Sequence, residues 1–425
     1  VASRPAETFT LGNGLQVIVL PSRRAPIVTQ VVIYKVGSAD EVFGRTGIAH
    51  FLEHMMFKGT ATLAAGEFSR IVARNGGREN AFTDFDITGY HQTIAADRLE
   101  LVMRMEADRM ANLRILDKEL TPERQVVLEE RRMRVDNVPA SLLDEAARAQ
   151  LFGLHKPYGM PVAGYADEVK RLGPADLTAF YRKHYAPNNA VLIVAGDTDT
   201  EAVRKLAERH YGPLAKRALD ARQRPSSGGT DLPQRMIRAD PRVVEARWGR
   251  DYLAPSYRMG ETRHAHALSV LARLLGGSET SRLWRALVAD RKVALSASAD
   301  YGASSLGLSS FGLDAHPARG HTVTEVERAI ADEIKRLLDD GVTAEEVERA
   351  QNRLLARAIY AQDSLASGPR LYGAALSTGG TVADVDDWPK RIAAVTQADV
   401  VAAARHVFRD DGCVTSLLTP VDAGK

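Results

Sequence analysis

A chain of 425 residues is longer than one ordinary compact core requires, so two or three domains are expected. Charged residues at 26% and a hydrophobic set at 45% are a globular balance that excludes disorder, collagen and coiled coil. Lys+Arg 56 against Asp+Glu 54 leaves only +2, which removes any global charge argument for nucleic acid or a membrane surface as partner.

The chain opens at Val1 rather than methionine, and Val1 to Asn13 holds no apolar signal core. That is expected of a mature periplasmic or otherwise exported protein, with cytoplasm and mitochondrial matrix as alternatives. Leu15 to Leu20 is a short β-branched run and predicts a strand. Its apolar stretch Val17 to Leu20 is among the longest, far short of the roughly 18 residues of a membrane span, so no span is expected.

Gly47 to Phe57 reads GIAHFLEHMMF. His50 and His54 are four apart, so on a helix their imidazoles share one face and can grip one Zn²⁺ ion. Glu53 lies on the same side, where a carboxylate reaches water at an open metal position without being a ligand. This order is the inverted zincin arrangement His-x-x-Glu-His. The bland alternative is an amphipathic helix with surface histidines. Ile48, Phe51, Leu52 and Met55 serve a core in either case.

Ala96 to Leu113, Pro122 to Val135 and Thr322 to Leu338 carry apolar residues at helical spacing. A hydrolytic zinc site needs a third protein ligand, and the helix from Pro122 offers Glu123, Glu129 and Glu130. Glu123 and Glu130 are seven apart, two turns along one face. A Glu-rich helix is otherwise an ordinary solvated face. Val191 to Ala195 predicts another strand. Arg222 to Pro233 reads RQRPSSGGTDLP, which is linker chemistry. The lone cysteine, Cys413, lies in an apolar strand pattern and allows neither an intramolecular disulfide nor a thiolate zinc site.

The chain is written twice. Leu120-Thr121-Pro122-Glu123 falls on Val342-Thr343-Ala344-Glu345 at an offset of 222, and Ala175-Asp176-Leu177 falls on Ala398-Asp399-Val400 at 223. The strand beginning at Val191 then falls on the one beginning at Val414. Two matches at nearly one offset predict a duplicated α/β half of about 200 residues. The expected organisation is an N-terminal half 1–217, a linker 218–235 and a C-terminal half 236–425. Strands and helices do not alternate strictly, so the fold class is α+β. The second copy carries Ala272, Leu275, Gly276 and Asn352 where the first has His50, Glu53, His54 and Glu130, so one half alone is expected to bind zinc.

On these residues the chain resembles the pitrilysin/insulinase family of zinc peptidases, especially half-length members akin to mitochondrial processing peptidase. The resemblance places a third ligand about 76 residues after the second histidine, which is Glu130, and a supporting acid seven residues earlier, which is Glu123. It likens Asn80-Ala81-Phe82-Thr83 to an active-site edge strand on which substrate adds as an extra strand. Tyr181, Tyr185 to Asn189, Gly196-Asp197 and Ser281-Arg282-Leu283 also follow the family pattern. The implied protein is a zinc endopeptidase with one Zn²⁺ per chain, acting on extended oligopeptides or unfolded segments, with Glu53 as general base.

The pattern fails in the second half. Family members carry there an Arg and, seven residues later, a Tyr that steady substrate and oxyanion. Here those positions read Val288 and Leu295, which have no donor to offer. Arg285, Arg291 or Tyr301 stands in if the register slips. The resemblance otherwise implies a heterodimer whose homologous partner supplies the Arg/Tyr pair. Two other readings are a non-catalytic core subunit of a larger complex and a binding module with structural zinc, in which His91 is a candidate fourth ligand.

Overall fold

Runs of aliphatic and β-branched residues build two sheets in this computed structural model, which describes residues 6–229, 232–365 and 367–421. Val1, where processing was expected, and Thr230 and Asp231 of the linker lie outside the described residues. The first sheet holds β1 (Glu7–Thr10), β2 (Gln16–Pro21), β3 (Ile27–Tyr34), β4 (Arg78–Thr83), β5 (Thr88–Ala95) and β6 (Ala190–Gly196), in the order β1-β2-β6-β3-β5-β4. The second holds β7 (Gln234–Ala239), β8 (Arg247–Ala254), β9 (Ala294–Tyr301), β10 (Ser309–Pro317) and β11 (Cys413–Thr419), in the order β7-β11-β8-β10-β9.

With β1 set aside, the two sheets have one topology. β2 runs parallel to β6 as β7 does to β11, and every other pairing is antiparallel. The two homologous halves expected from the internal repeat are therefore present, and the α+β class holds. β4 and β9 occupy the same edge of their respective sheets.

Two compact units result, and each draws on both sequence halves. The first comprises residues up to Arg131, Pro161–Gln223 and Ile359–Asp386, and the second comprises Arg132–Met160, Arg224–Ala358 and the described residues from Asp387 on. Helix Ser367–Ser377 packs on β3 and β6 of the first unit, while helix Pro139–Phe152 packs on β11, β7 and β8 of the second. The physical reason is visible in β6. Leu192 and Val194 enter the main core of the first unit, whereas Val191 and Ile193 point to the opposite face and join a second core with Ile18, Ile33, Tyr372 and Val385. A strand apolar on both faces needs cover on both. Gly373 permits the close approach, since a Cβ there would lie 2.2 Å from Ile33 Cδ1.

Within the main core of the first unit, Arg109 and Glu106 form a fully buried ion pair at 2.6 Å. The guanidinium lies 4.5 Å from the ring centroids of both Phe68 and Tyr90, and Gln92 donates to Glu106. A buried pair of this kind is tolerable because Glu106 receives two bonds from the guanidinium and one from Gln92, while aromatic faces flank the guanidinium, whose Nη1 makes no hydrogen bond. Among the described residues no helix is long and apolar enough to cross a membrane.

Candidate active site

Helix Ile48–Met55 buries Ile48, Ala49, Phe51, Leu52 and Met55, which leaves His50, Glu53 and His54 on its other side, each half-buried. Its start is fixed from two directions. Gly47 takes a left-handed φ of 83°, and the buried Glu41 carboxylate accepts from the backbone N–H of Gly47 at 2.8 Å and of Ala49 at 2.9 Å. Thr46 is held in turn by Glu168, which accepts from its N–H at 2.7 Å and its hydroxyl at 2.8 Å.

Helix Asp117–Arg131 packs against this helix and presents Glu123 and Glu130 two turns apart. His54 Nε2 lies 3.1 Å from Glu130 Oε2, and His50 Nε2 lies 3.7 Å from Glu130 Oε1. One ligand atom from each of the three residues falls within 4.8 Å of the others. The two imidazole planes meet at 81°, with centroids 4.9 Å apart, so their lone pairs are free to converge. Tetrahedral zinc with bonds of about 2.1 Å separates its ligand atoms by about 3.4 Å, and the two observed spacings bracket that value. The donor set thus fits a zinc ion. Glu129, the neighbouring acid, is exposed and outside this group, and so is His91, which stands opposite Asn80 in the β4–β5 register.

Burial opposes a charged His54 ring, but hydrogen bonds to Glu123 and Glu130 outweigh it and hold the pKa up at about 9. Positive charge is therefore favoured where the three side chains meet, and a metal ion held there would take the place of that proton. Glu123 Oε1 lies 2.8 Å from His54 Nδ1, the ring atom away from Glu130. Lys58 Nζ pairs with the other Glu123 oxygen at 2.5 Å. Burial works against the Glu123 charge, yet the bonds to His54 and Lys58 prevail and keep its pKa below the usual carboxylate range. Such a partner fixes ring tautomer and orientation.

Glu53 Oε2 accepts from Thr83 Oγ1 at 2.5 Å. Thr83 ends β4, which pairs with β5 alone and closes its side of the sheet. Asn80 is exposed and its Oδ1 accepts from the Ala81 N–H at 2.9 Å. Phe82 lies on the sheet face opposite Thr83, packing into the second core with the Arg370 guanidinium 4.2 Å from its ring centroid. Of the four residues Asn80 to Thr83, Ala81 and Thr83 face the helix that carries the histidines, Ala81 by packing against the main core and Thr83 by its hydrogen bond to Glu53.

Glu261, His264 and His406 form another group with metal-ligating chemistry. There the imidazoles stack at 22° with centroids 4.8 Å apart, so their lone pairs run side by side instead of converging. Arg263 Nε, at 3.3 Å from His264 Nε2, supplies a cation already. Sequence reading passed over this pair because no local spacing joins them. It also passed over Glu41, Lys58 and Glu168, of which only Lys58 left a trace, one turn beyond His54.

In the second unit, Leu295 stands exposed on β9 and Val288 packs partly against the core. Tyr301 donates its hydroxyl to Pro255 O at 2.6 Å, and Arg291 pairs with Asp332 at 2.9 Å.

Comparison with known proteins agrees with the fold. Residues 17–161 match the family model described as Insulinase (Peptidase family M16), and residues 171–354 match that of the peptidase M16 inactive domain. The zinc protease PqqE of Helicobacter pylori is 31% identical over 97% of this chain and 93% of its own length. The crystal structure of a protease from the same organism superposes with a TM-score of 0.90 at 29% identity, covering 99% of this chain and 100% of that one. The periplasmic protease PqqL of Escherichia coli shares the fold at a TM-score of 0.82 and 21% identity, with 98% of this chain matching 48% of that one. With both sequence halves matched and relatives aligned almost end to end, the chain belongs to the insulinase family, peptidase family M16.

Proposed function

We propose that the chain is the zinc-bearing subunit of an endopeptidase that cuts extended oligopeptides or unfolded segments. The observation that carries this reading is the meeting of His50 Nε2 and His54 Nε2 on one carboxylate, Glu130, at 3.7 and 3.1 Å. The relatives named zinc proteases support it. One Zn²⁺ per chain, held by His50, His54 and Glu130, would polarise a peptide carbonyl and acidify water. Glu53 takes the proton of the attacking water and delivers it to the leaving amine. Glu123 holds the His54 ring, and Thr83 holds the Glu53 carboxylate. The open side of β4, along Asn80 to Thr83, receives the peptide backbone as an added strand. A homologous partner subunit completes the oxyanion donors. Export is the compartment this reading favours, in line with a periplasmic protein of the same fold.

Metal content and turnover, measured together, test the assignment. His50→Ala and Glu130→Ala lose zinc, whereas Glu53→Gln keeps one zinc and loses hydrolysis of a quenched extended peptide. A chelator abolishes hydrolysis and added zinc restores it. Full zinc in Glu130→Ala, or hydrolysis that survives in Glu53→Gln, overturns it.

A further inference from the structure

The edge strand β4 has two faces of different chemistry. Strand alternation puts Glu79, Ala81 and Thr83 on the side of the histidine helix and Arg78, Asn80 and Phe82 on the other. In the β4–β5 register Phe82 stands opposite Gly89 and Asn80 opposite His91, so these side chains share the far face. A Cβ on Gly89 would lie 2.5 Å from Phe82 Cζ, so glycine there lets the ring lie across β5.

Helix Ser367–Ser377 buries Pro369, Tyr372 and Gly373 and leaves Arg370 exposed, its guanidinium stacked 4.2 Å from the Phe82 ring centroid. An aromatic ring holds a guanidinium in place without neutralising it. Arg78 is exposed as well, and among the described residues neither arginine has a carboxylate within ion-pair distance. Burial and the charge of Arg370 lower the pKa of His91, so at neutral pH the positive charge of this face is that of the arginines. Arg78 and the ring under Arg370 stand four residues apart on one strand, a span of about 13 Å.

We propose that Arg78 and Arg370 set the substrate preference of this edge, selecting extended peptides that carry acidic side chains four residues apart. The proposal rests on the reading that peptide adds to β4 as an extra strand. Such a strand lies about 4.8 Å beyond β4, and its side chains alternate in step with those of its neighbour. Residues opposite Arg78, Asn80 and Phe82 then point away from the histidines, and the outer two each meet a guanidinium. A carboxylate matches that fork, whereas Lys or Arg meets like charge. Residues of the other parity face the histidine helix and are untouched by either arginine.

Fluorescence anisotropy with two short labelled peptides of identical composition tests the proposal. Both are amidated at the C-terminus, so that side-chain carboxylates alone are compared, and both carry two Glu residues in a neutral background. The acids are four apart in one peptide and three apart in the other. Whatever the register, four apart puts both on one face of the added strand and three apart puts them on opposite faces. The full chain is used as Glu53→Gln, so that bound peptide is not cut. The four-apart peptide should bind about 2- to 5-fold more tightly, the effect of one more ion pair. Arg78→Gln or Arg370→Gln should remove most of that difference, and Arg370→Lys should keep it. Equal affinities of the two peptides overturn the proposal, as does no binding of either, or a difference that survives both Gln variants. Circular dichroism melts of the variants separate lost binding from lost folding. The readout needs neither zinc nor turnover. A chain that shows the preference but holds no zinc loses only the metal assignment, and a chain that passes the zinc test with equal peptide affinities loses only the selectivity.

Discussion

Thr83 Oγ1 donates to Glu53 Oε2 at 2.5 Å, so the last residue of an edge strand holds the carboxylate that follows His50 by one helical turn. A general base works only when its free lone pair is aimed at the proton it takes. If β4 also carries the peptide, one strand sets both substrate and base. Thr83→Val should leave zinc content and KM unchanged and lower kcat about 10-fold or more. Thr83→Ser should retain most of the rate. A loss of KM instead, with kcat preserved, would assign Thr83 to peptide binding alone.

Lys58 acts one step further from the metal site. Its ammonium pairs with the Glu123 oxygen that does not face His54, and so keeps that acid ionised and fixed. Lys58→Met should weaken zinc affinity about 10-fold, and Glu123→Gln between about 10- and 100-fold, in competition with a chelating dye. Lys58→Arg should behave nearly as the parent chain. Unchanged affinity in Lys58→Met would show that His54 alone orients Glu123.

His184 gives the fold an acid limit that can be measured away from the metal site. Burial, aided by the charges of Lys183 and Arg222, lowers its pKa to about 4 against the pull of Asp40. The unfolded chain holds it near the ordinary value of about 6.5, so between those pH values the unfolded state binds more protons. Stability from the neutral ring is complete above about pH 6.5 and is lost as pH falls toward 4, by about 3 kcal/mol in all. Denaturant melts of His184→Gln should be flatter over that window than those of the parent. Equal slopes would mean that the ring titrates normally in the folded chain.

The fold and the candidate zinc site were legible in the sequence to different degrees. Helical spacing alone places His50, Glu53 and His54 on one face, because three and four residues make about one turn. Glu130 is 76 residues away in sequence, and no local period could reach it; only the family resemblance did. The internal repeat read as two halves, and the matching sheets answer to it. The exchange of helices Pro139–Phe152 and Ser367–Ser377 was not legible. The run Val191 to Val194 says that both faces of β6 are covered, but apolar surface does not name what covers it. Strand alternation sends the Phe82 ring to the far face of the sheet, beside Arg370, while its backbone stays on the edge strand β4.

The second unit bears on the proposed partner. Family resemblance puts an Arg and a Tyr where this chain has Val288 and Leu295, and Leu295 lies 53% exposed on β9 with nothing to donate. Two of the polar side chains nearby are engaged elsewhere. Tyr301 gives its hydroxyl to Pro255 O at 2.6 Å and stacks on Phe311, and Arg291 is paired with Asp332 at 2.9 Å. A second copy of the same chain repeats the same two aliphatic positions, so symmetric pairing cannot supply the donors. A homologous chain with Arg and Tyr at those positions can. Loss of one oxyanion donor lowers turnover by about 100- to 1,000-fold, so the isolated chain should bind one zinc and cleave a quenched peptide at least that much more slowly than the mixed pair. Tyr301→Phe and Arg291→Ala should leave the mixed pair's rate unchanged. Full turnover by the purified chain alone would remove the need for a partner, and a drop in either variant would return the donor role to this chain's own second half.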